Sequence, residues 1–288
     1  MAKIDAAQLS FEFFPPKNQE QDESYRASRD RLVALGPGYM SVTFGAGGST
    51  RSRTRDTALD IQAQTGIEAA PHISCMSEDI AGIQELLEAY LAAGIRRLVV
   101  LRGDRPSGGG HGVFDHAVDL VRFVRTHSGD RFHLEVACYP ELHPESRSPE
   151  SELRHFREKV EAGADGAITQ YFYNVDAYRR FVDDCHASGI DIPITPGIMP
   201  ITNHSGLARF SKLCGADLPL WIGKRTAAWE QAGDFDSLRS FGEEVVTRLC
   251  QQLLEAGAPG LHFYTLNRSR AVLGLCRKLG FEAGIAAN

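Results

Sequence analysis

No stretch of the 288 residues is long and apolar enough to span a bilayer. The first ten residues mix Lys3 and Asp5 with apolar ones and lack the apolar centre of a secretory leader. Basic residues are in deficit: 31 Lys and Arg stand against 37 Asp and Glu, a net charge of -6. Phosphate backbones want a basic face, so neither nucleic acid nor a membrane is expected as a partner. The six cysteines (Cys75, Cys138, Cys185, Cys214, Cys250 and Cys276) include no C-x-x-C pair, which excludes zinc ribbons and thioredoxin-like motifs. They read as buried, reduced thiols of a cytoplasmic protein. There is no H-E-x-x-H, and no H-x-H closes the first β segment, so no catalytic metal is expected. A serine nucleophile elbow, G-x-S-x-G, is also missing. Lys3, Lys17, Lys159, Lys212, Lys224 and Lys278 all fall outside the predicted strands, which leaves no barrel-interior lysine for a Schiff base.

What remains is an ordinary globular composition, 43% hydrophobic and 24% charged. The length fits one large domain or two small ones. A repeat decides between them. Gly36, Gly66, Gly94, Gly129, Gly163, Gly189, Gly215, Gly257 and Gly280 recur at intervals of 23 to 42 residues, mostly after helical patterns and before apolar ones. Glycine in that place suits the left-handed position just past a helix end. Eight segments between them read as strands: Leu9–Phe14, Tyr39–Phe44, Ala69–Cys75, Leu98–Arg102, Phe132–Tyr139, Ala167–Phe172, Ile192–Ile198 and Leu261–Leu266. Continuous apolar runs such as Leu98 to Leu101 are those of buried parallel strands. Eight strand–helix units without a linker argue for one α/β domain over residues 1–288, a (β/α)8 TIM barrel. An open doubly wound sheet is the competing architecture. The widest interval, from Gly215 to Gly257, holds Leu218–Gly223 and a helical stretch from Phe235 to Ala256. It reads as a helical insertion before the last strand, although Leu218–Ile222 also fits a short strand.

In such a barrel the chemistry belongs to the C-terminal ends of the strands. Unusual polar residues collect there: Glu12 in the first, Thr43-Phe44 and Gly45 to Gly48 at the end of the second, Pro71-His72 in the third, Arg102-Gly103-Asp104 at the end of the fourth, Tyr139 to Glu145 at the end of the fifth, Gln170 in the sixth and Tyr264 to Arg268 at the end of the last. Glu12 is the sharpest. Period-two alternation puts Ser10, Glu12 and Phe14 on one face and Phe11 and Phe13 on the other. With the phenylalanines turned to the helices, Glu12 points into the barrel, where burial raises a carboxyl pKa and suits it to general-acid work. An internal ion pair would explain it equally without catalysis. Asp104 fits a ligand contact or an Asx turn, and Arg102 an anionic ligand or a pair with Asp104. Gly45 to Gly48 is half a dinucleotide fingerprint, better explained by a tight turn. These features favour an enzyme with a buried acid, no metal and no covalent nucleophile, for which hydride transfer by a bound cofactor is a natural option.

The stretches Ser10 to Pro16, Ser41 to Ala46, Ala70 to His72, Leu101 to Asp104, Tyr139 to Glu145, Ala167 to Gln170 and Phe263 to Arg268, in this order, resemble methylenetetrahydrofolate reductases of the short bacterial type. The resemblance covers nearly the whole chain. It implies a barrel that binds FAD without a Rossmann domain. NADH or NADPH would reduce the flavin and leave, and 5,10-methylenetetrahydrofolate would then take hydride to become 5-methyltetrahydrofolate. Glu12 matches the family's general acid at the folate N10, and Asp104 an aspartate beside the flavin N1. Thr43 matches a residue near the nicotinamide. Phe44, His72, Arg102, Gly103, Asp104, Ala117, Tyr139, His143, Glu152 and Lys159 match the flavin site. Gln170, Phe210 and Arg268 match the substrate site. Phe44 departs from a familiar tyrosine, Glu152 from an aspartate and Gly206 from a longer polar residue. No room remains for the regulatory domain of the long eukaryotic enzymes. Another FAD barrel oxidoreductase, of the proline dehydrogenase kind, and a non-catalytic flavin- or pterin-binding barrel are the alternatives. The outer helices could form a homo-oligomer interface, and the choice between NADH and NADPH is left open.

Overall fold

Strands and helices alternate along the chain in the computed structural model, which describes residues 5–44, 48–75, 79–103 and 112–281. In order they are β1 (Leu9–Phe13), α1 (Gln19–Val33), β2 (Tyr39–Val42), α2 (Gly48–Thr65), β3 (Glu68–Ser74), α3 (Ile80–Ala92), β4 (Arg97–Leu101) and α4 (Ala117–Ser128). Then follow β5 (His133–Cys138), α5 (Pro149–Glu161), β6 (Gly166–Thr169), α6 (Val175–Ala187), β7 (Ile194–Thr195) and β8 (Gly197–Ile198). The chain continues through α7 (His204–Cys214), α8 (Leu220–Gln231), α9 (Phe235–Glu255), β9 (Leu261–Tyr264) and α10 (Ser269–Lys278). Every strand pairing is parallel, in the order β7-β6-β5-β4-β3-β2-β1-β9-β8.

The two ends of that order are one piece of chain. β7 and β8 are halves of the predicted segment Ile192–Ile198, parted at Pro196, which has no N–H to give to a ladder. β7 pairs with β6 and β8 with β9, so this segment joins both edges and closes a (β/α)8 barrel. The Pro196 carbonyl still accepts from the His262 N–H at 3.0 Å. The other predicted strands are all present. Most stop one to three residues early, because Phe14, Phe44, Arg102, Tyr139, Gln170 and Leu266 already belong to the loops of the rim. Leu218–Ile222 is not a strand: Pro219 precedes the first turn of α8, and α7, α8 and α9 together lie between the seventh and last strands. An apolar run this short does not separate strand from helix by its pattern. All nine recurring glycines have positive φ, from 57° to 112°. No helix among the described residues is long and apolar enough to cross a membrane.

The alternation in β1 is as expected. Phe11 and Phe13 are fully buried toward the helices, and Phe13 meets Tyr25 of α1 edge-on with ring centroids 5.5 Å apart. Inside the barrel, the lower layer is polar and closed on itself. Arg97 at the start of β4 pairs with Glu135 of β5 at 2.6 Å and Glu68 of β3 at 2.9 Å, and its guanidinium lies 4.6 Å over the Tyr39 ring. Buried charge is tolerated when its partners are complete, as here. Gly166 borders this layer, and a Cβ there would fall 2.5 Å from the Glu135 carboxylate. Five of the six cysteines are buried, but Cys214, at the end of α7, is only partly so, because that helix ends at the surface.

Candidate active site

Above the polar floor, the barrel interior narrows on Glu12. The register sets it opposite Ser41 of β2 and Tyr264 of β9. Its side chain is 12% exposed. Two imidazoles face the same carboxylate oxygen: His72 Nε2 from β3 at 3.4 Å and His262 Nε2 from β9 at 3.6 Å. Neither contact has hydrogen-bond geometry, and both Nε2 atoms are buried without a hydrogen-bond partner. Burial lowers the His72 pKa from 6.5 to about 4, against the opposing pull of Glu12, so its imidazole is neutral at pH 7. His262 is fully buried. Its Nδ1 lies 2.8 Å from Ser10 Oγ, and its ring stacks on Tyr39 at 5.9 Å and meets Tyr264 edge-on at 5.5 Å. The Tyr264 hydroxyl donates to the Thr169 carbonyl at 2.8 Å, which ties the end of β9 to the end of β6 at the level of Glu12.

The rim over β2 to β5 holds most of the predicted cofactor residues. Thr43 and Phe44 follow β2 half-buried, and the Thr43 carbonyl accepts from Thr54 Oγ1 at 2.9 Å. Arg102 follows β4 and pairs with Glu145 at 2.6 Å, and Gly103 beside it has φ 80°. Tyr139 follows β5 and meets His143 edge-on, with centroids 4.7 Å apart. Burial lowers the His143 pKa and raises that of Tyr139. Two residues of α5 reach the same corner. Buried Glu152 accepts from Ser146 Oγ, and Lys159 Nζ donates to the Ala137 carbonyl at 2.5 Å. Burial lowers the Lys159 pKa, opposed by Cys138 and Glu152. Gln170, just past β6, folds back so that Oε1 accepts from the Tyr171 N–H at 3.0 Å. It shares with Tyr139, Glu141 and Cys214 a small, partly open pocket between the β5 and β6 loops and the end of α7. There burial raises the Glu141 pKa, while its carboxylate holds the Asp217 N–H at 2.7 Å.

Others stand apart from this cluster. Ala117 opens α4, Phe210 is half-exposed on α7 with Arg209 5.8 Å over its ring, and Arg268 is exposed before the first turn of α10. Asp104 and Gly45 to Gly47 lie outside the described residues. His262, Ser10 and Tyr39 were not singled out from the sequence as site residues. The signal was there: a histidine and a tyrosine alternate in Leu261-His262-Phe263-Tyr264 as Ser10 and Glu12 do in β1, so both pairs face inward.

The arrangement thus has an acid inside the barrel, beneath a rim that carries a guanidinium, a buried amine, imidazoles and aromatic rings. The model of the methylenetetrahydrofolate reductase family matches residues 1–280. The chain belongs to that family. Membership makes it an enzyme and an oxidoreductase. It is 38% identical over 278 residues to the 5,10-methylenetetrahydrofolate reductase of Pectobacterium carotovorum subsp. carotovorum, covering 96% of this chain and 92% of that one. Identity to the Escherichia coli K12 protein of the same name is 36% over 277 residues, covering 96% and 92%. A plant relative, methylenetetrahydrofolate reductase (NADH) 1 of Arabidopsis thaliana, is 38% identical over 287 residues, but the match spans only 48% of its length. Among solved structures, a Clostridium thermocellum protein that binds two copies of 5-methyl-5,6,7,8-tetrahydrofolic acid superposes with a TM-score of 0.65 at 15% identity, covering 96% of each chain. At that identity the likeness speaks for the fold alone.

Proposed function

We propose that the chain is one catalytic barrel domain that reduces 5,10-methylenetetrahydrofolate to 5-methyltetrahydrofolate at the expense of NADH or NADPH, with FAD held on the rim. The names of the relatives support the reaction, and the plant relative's name supports NADH for that protein. The residues present fit a flavin dinucleotide. Arg102 offers a cation to the pyrophosphate, Lys159 a buried amine, Tyr139 and His143 rings, and His72 an unpartnered buried ring nitrogen. FAD, when bound, supplies the two-electron carrier that lets nicotinamide and folate use one site in turn.

The protein's own work is on the proton and on position. Glu12 delivers a proton to the folate N10, which opens the five-membered ring to an iminium able to accept hydride. His72, kept neutral by burial, adds no positive charge beside that developing cation. Asp104 is proposed to set the charge near the flavin N1. Thr43 is assigned to the nicotinamide, with Phe44, Gly103, Ala117 and Glu152 around the flavin. Gln170, Phe210 and Arg268 are assigned to the folate.

The observation that carries this reading is the Glu12 carboxyl, set inside the barrel directly under the rim and faced by His72 and His262. Glu12→Gln tests it. The variant is expected to bind FAD and to bleach normally with NADH. Its return to the oxidised colour with methylenetetrahydrofolate should slow by about 10²–10⁴, the usual worth of a positioned acid. Unaltered folate turnover in the variant removes the acid role.

A further inference from the structure

Among the described residues, the turn after β9 is the one place where two consecutive non-glycine residues take positive φ, Leu266 at 51° and Asn267 at 57°. For leucine that conformation is costly, so the surroundings must hold it. What holds it is strand β1. The Asn267 side-chain amide grips the backbone of Phe14 from both sides: the Phe14 N–H donates to Oδ1 at 2.8 Å, and Nδ2 donates to the Phe14 carbonyl at 2.8 Å. Thr265 takes the Glu12 carbonyl, by its N–H at 3.2 Å and its Oγ1 at 2.5 Å, and that Oγ1 in turn accepts from the Asn267 N–H at 3.1 Å. Ser28 of α1 donates to the Asn267 carbonyl at 2.9 Å and pins the turn from outside.

The next residues show why such a grip is needed. Phe14 is followed by Pro15 and Pro16, which have no N–H. The Phe14 N–H, one residue past the end of β1, is therefore the last donor before the prolines, and β9 has already ended at Tyr264. The asparagine amide presents one acceptor and one donor in place of a strand residue, so it extends the parallel ladder by one rung, from Glu12 to Phe14, on the side that faces β9.

We infer that Asn267 is a positioning residue for Glu12. By clasping Phe14 it fixes the backbone on the C-terminal side of the acid, while Thr265 fixes the carbonyl of the acid itself. The inference rests on the proposed acid role of Glu12. Its mechanism is orientation: displacement of a reacting group by about 1 Å costs on the order of 10²-fold in rate.

Two variants test it. Asn267→Gly keeps the left-handed turn comfortable and removes the clasp. Asn267→Asp keeps the acceptor for the Phe14 N–H and loses the donor. Both are purified with FAD and compared in anaerobic stopped flow, with Glu12→Gln alongside. Asn267→Gly is expected to bleach with NADH at the unmodified rate and to slow the folate-driven return by about 10–100-fold, with Asn267→Asp in between. The pH limb of the folate step should move in Asn267→Gly. The affinity for 5-methyltetrahydrofolate, read by calorimetry on the resting protein, should stay within about threefold, because the clasp acts on Glu12 and not on the ligand. A folate step within twofold of the unmodified protein overturns the inference. So does an equal fall in both half-reactions, which is the mark of a purely structural role. If Glu12→Gln itself leaves the folate step intact, the acid reading fails. If Glu12→Gln is impaired and Asn267→Gly is normal, only the clasp fails.

Discussion

Replacing His72 by asparagine should flatten the acid side of the stability curve by an amount the structure sets. His72 is buried in β3, and burial brings its pKa down from 6.5 to about 4. The unfolded chain takes up this proton as the pH falls through 6.5, whereas the folded chain does not until about 4. Protons bound only in the unfolded state draw the equilibrium toward it, so stability is full above pH 6.5 and is lost progressively down to about 4. At 1.36 kcal/mol per unit the whole loss is about 3 kcal/mol, of which about 2 kcal/mol has gone by pH 5. Urea unfolding at pH 7.5 and pH 5 measures it. Other groups titrate in both proteins, so the quantity of interest is the difference between the two pH-induced losses. With a urea slope of about 3 kcal/mol/M, the unmodified protein should lose about 0.7 M more in midpoint than His72→Asn. Parallel losses in the two proteins would refute the claim that His72 is held neutral by burial.

Other consequences are as direct. Ser10→Ala leaves His262 Nδ1 buried without its partner at 2.8 Å, and should cost about 1–3 kcal/mol in denaturant unfolding. Arg97→Ala leaves Glu135 inside the barrel with the His133 ring nitrogen at 3.1 Å but no guanidinium, and should cost about 3–5 kcal/mol, while Glu135→Gln combined with Arg97→Met should recover much of it. Equal losses in the single and double variants would show that shape rather than charge governs that layer.

The barrel was legible because two signals agreed at every unit. Apolar β-rich runs such as Leu98 to Leu101 marked the strands, and a glycine past most helices marked the turn back into the sheet. Closure was expected from the eight units, but the way it is made was not legible. It depends on Pro196 splitting one segment between two neighbours, and a pattern of apolar residues carries no information on which partner each half takes. Strand ends were overrun, since Phe14, Tyr139 and Leu266 look like strand residues yet serve the rim. In the site, Glu12 was conspicuous as a charge in an aromatic strand. His262 was hidden because a histidine between apolar neighbours is common in cores, and only its register with Ser10 gives it meaning. Arg97 and Glu135 were invisible for a related reason: each sits in a different strand, and their pairing exists only once β4 and β5 lie side by side.

The central claim is that one site passes hydride from a nicotinamide to a folate through a bound flavin. The most direct measurement is the visible spectrum of the freshly purified protein, followed in one anaerobic cuvette through addition of NADH and then methylenetetrahydrofolate. The account predicts a flavin spectrum that NADH bleaches and the folate restores, with 5-methyltetrahydrofolate formed one for one. A flavin that bleaches and stays bleached would keep the oxidoreductase and contradict the folate assignment. A colourless protein that takes up no added FAD would contradict the account at its root.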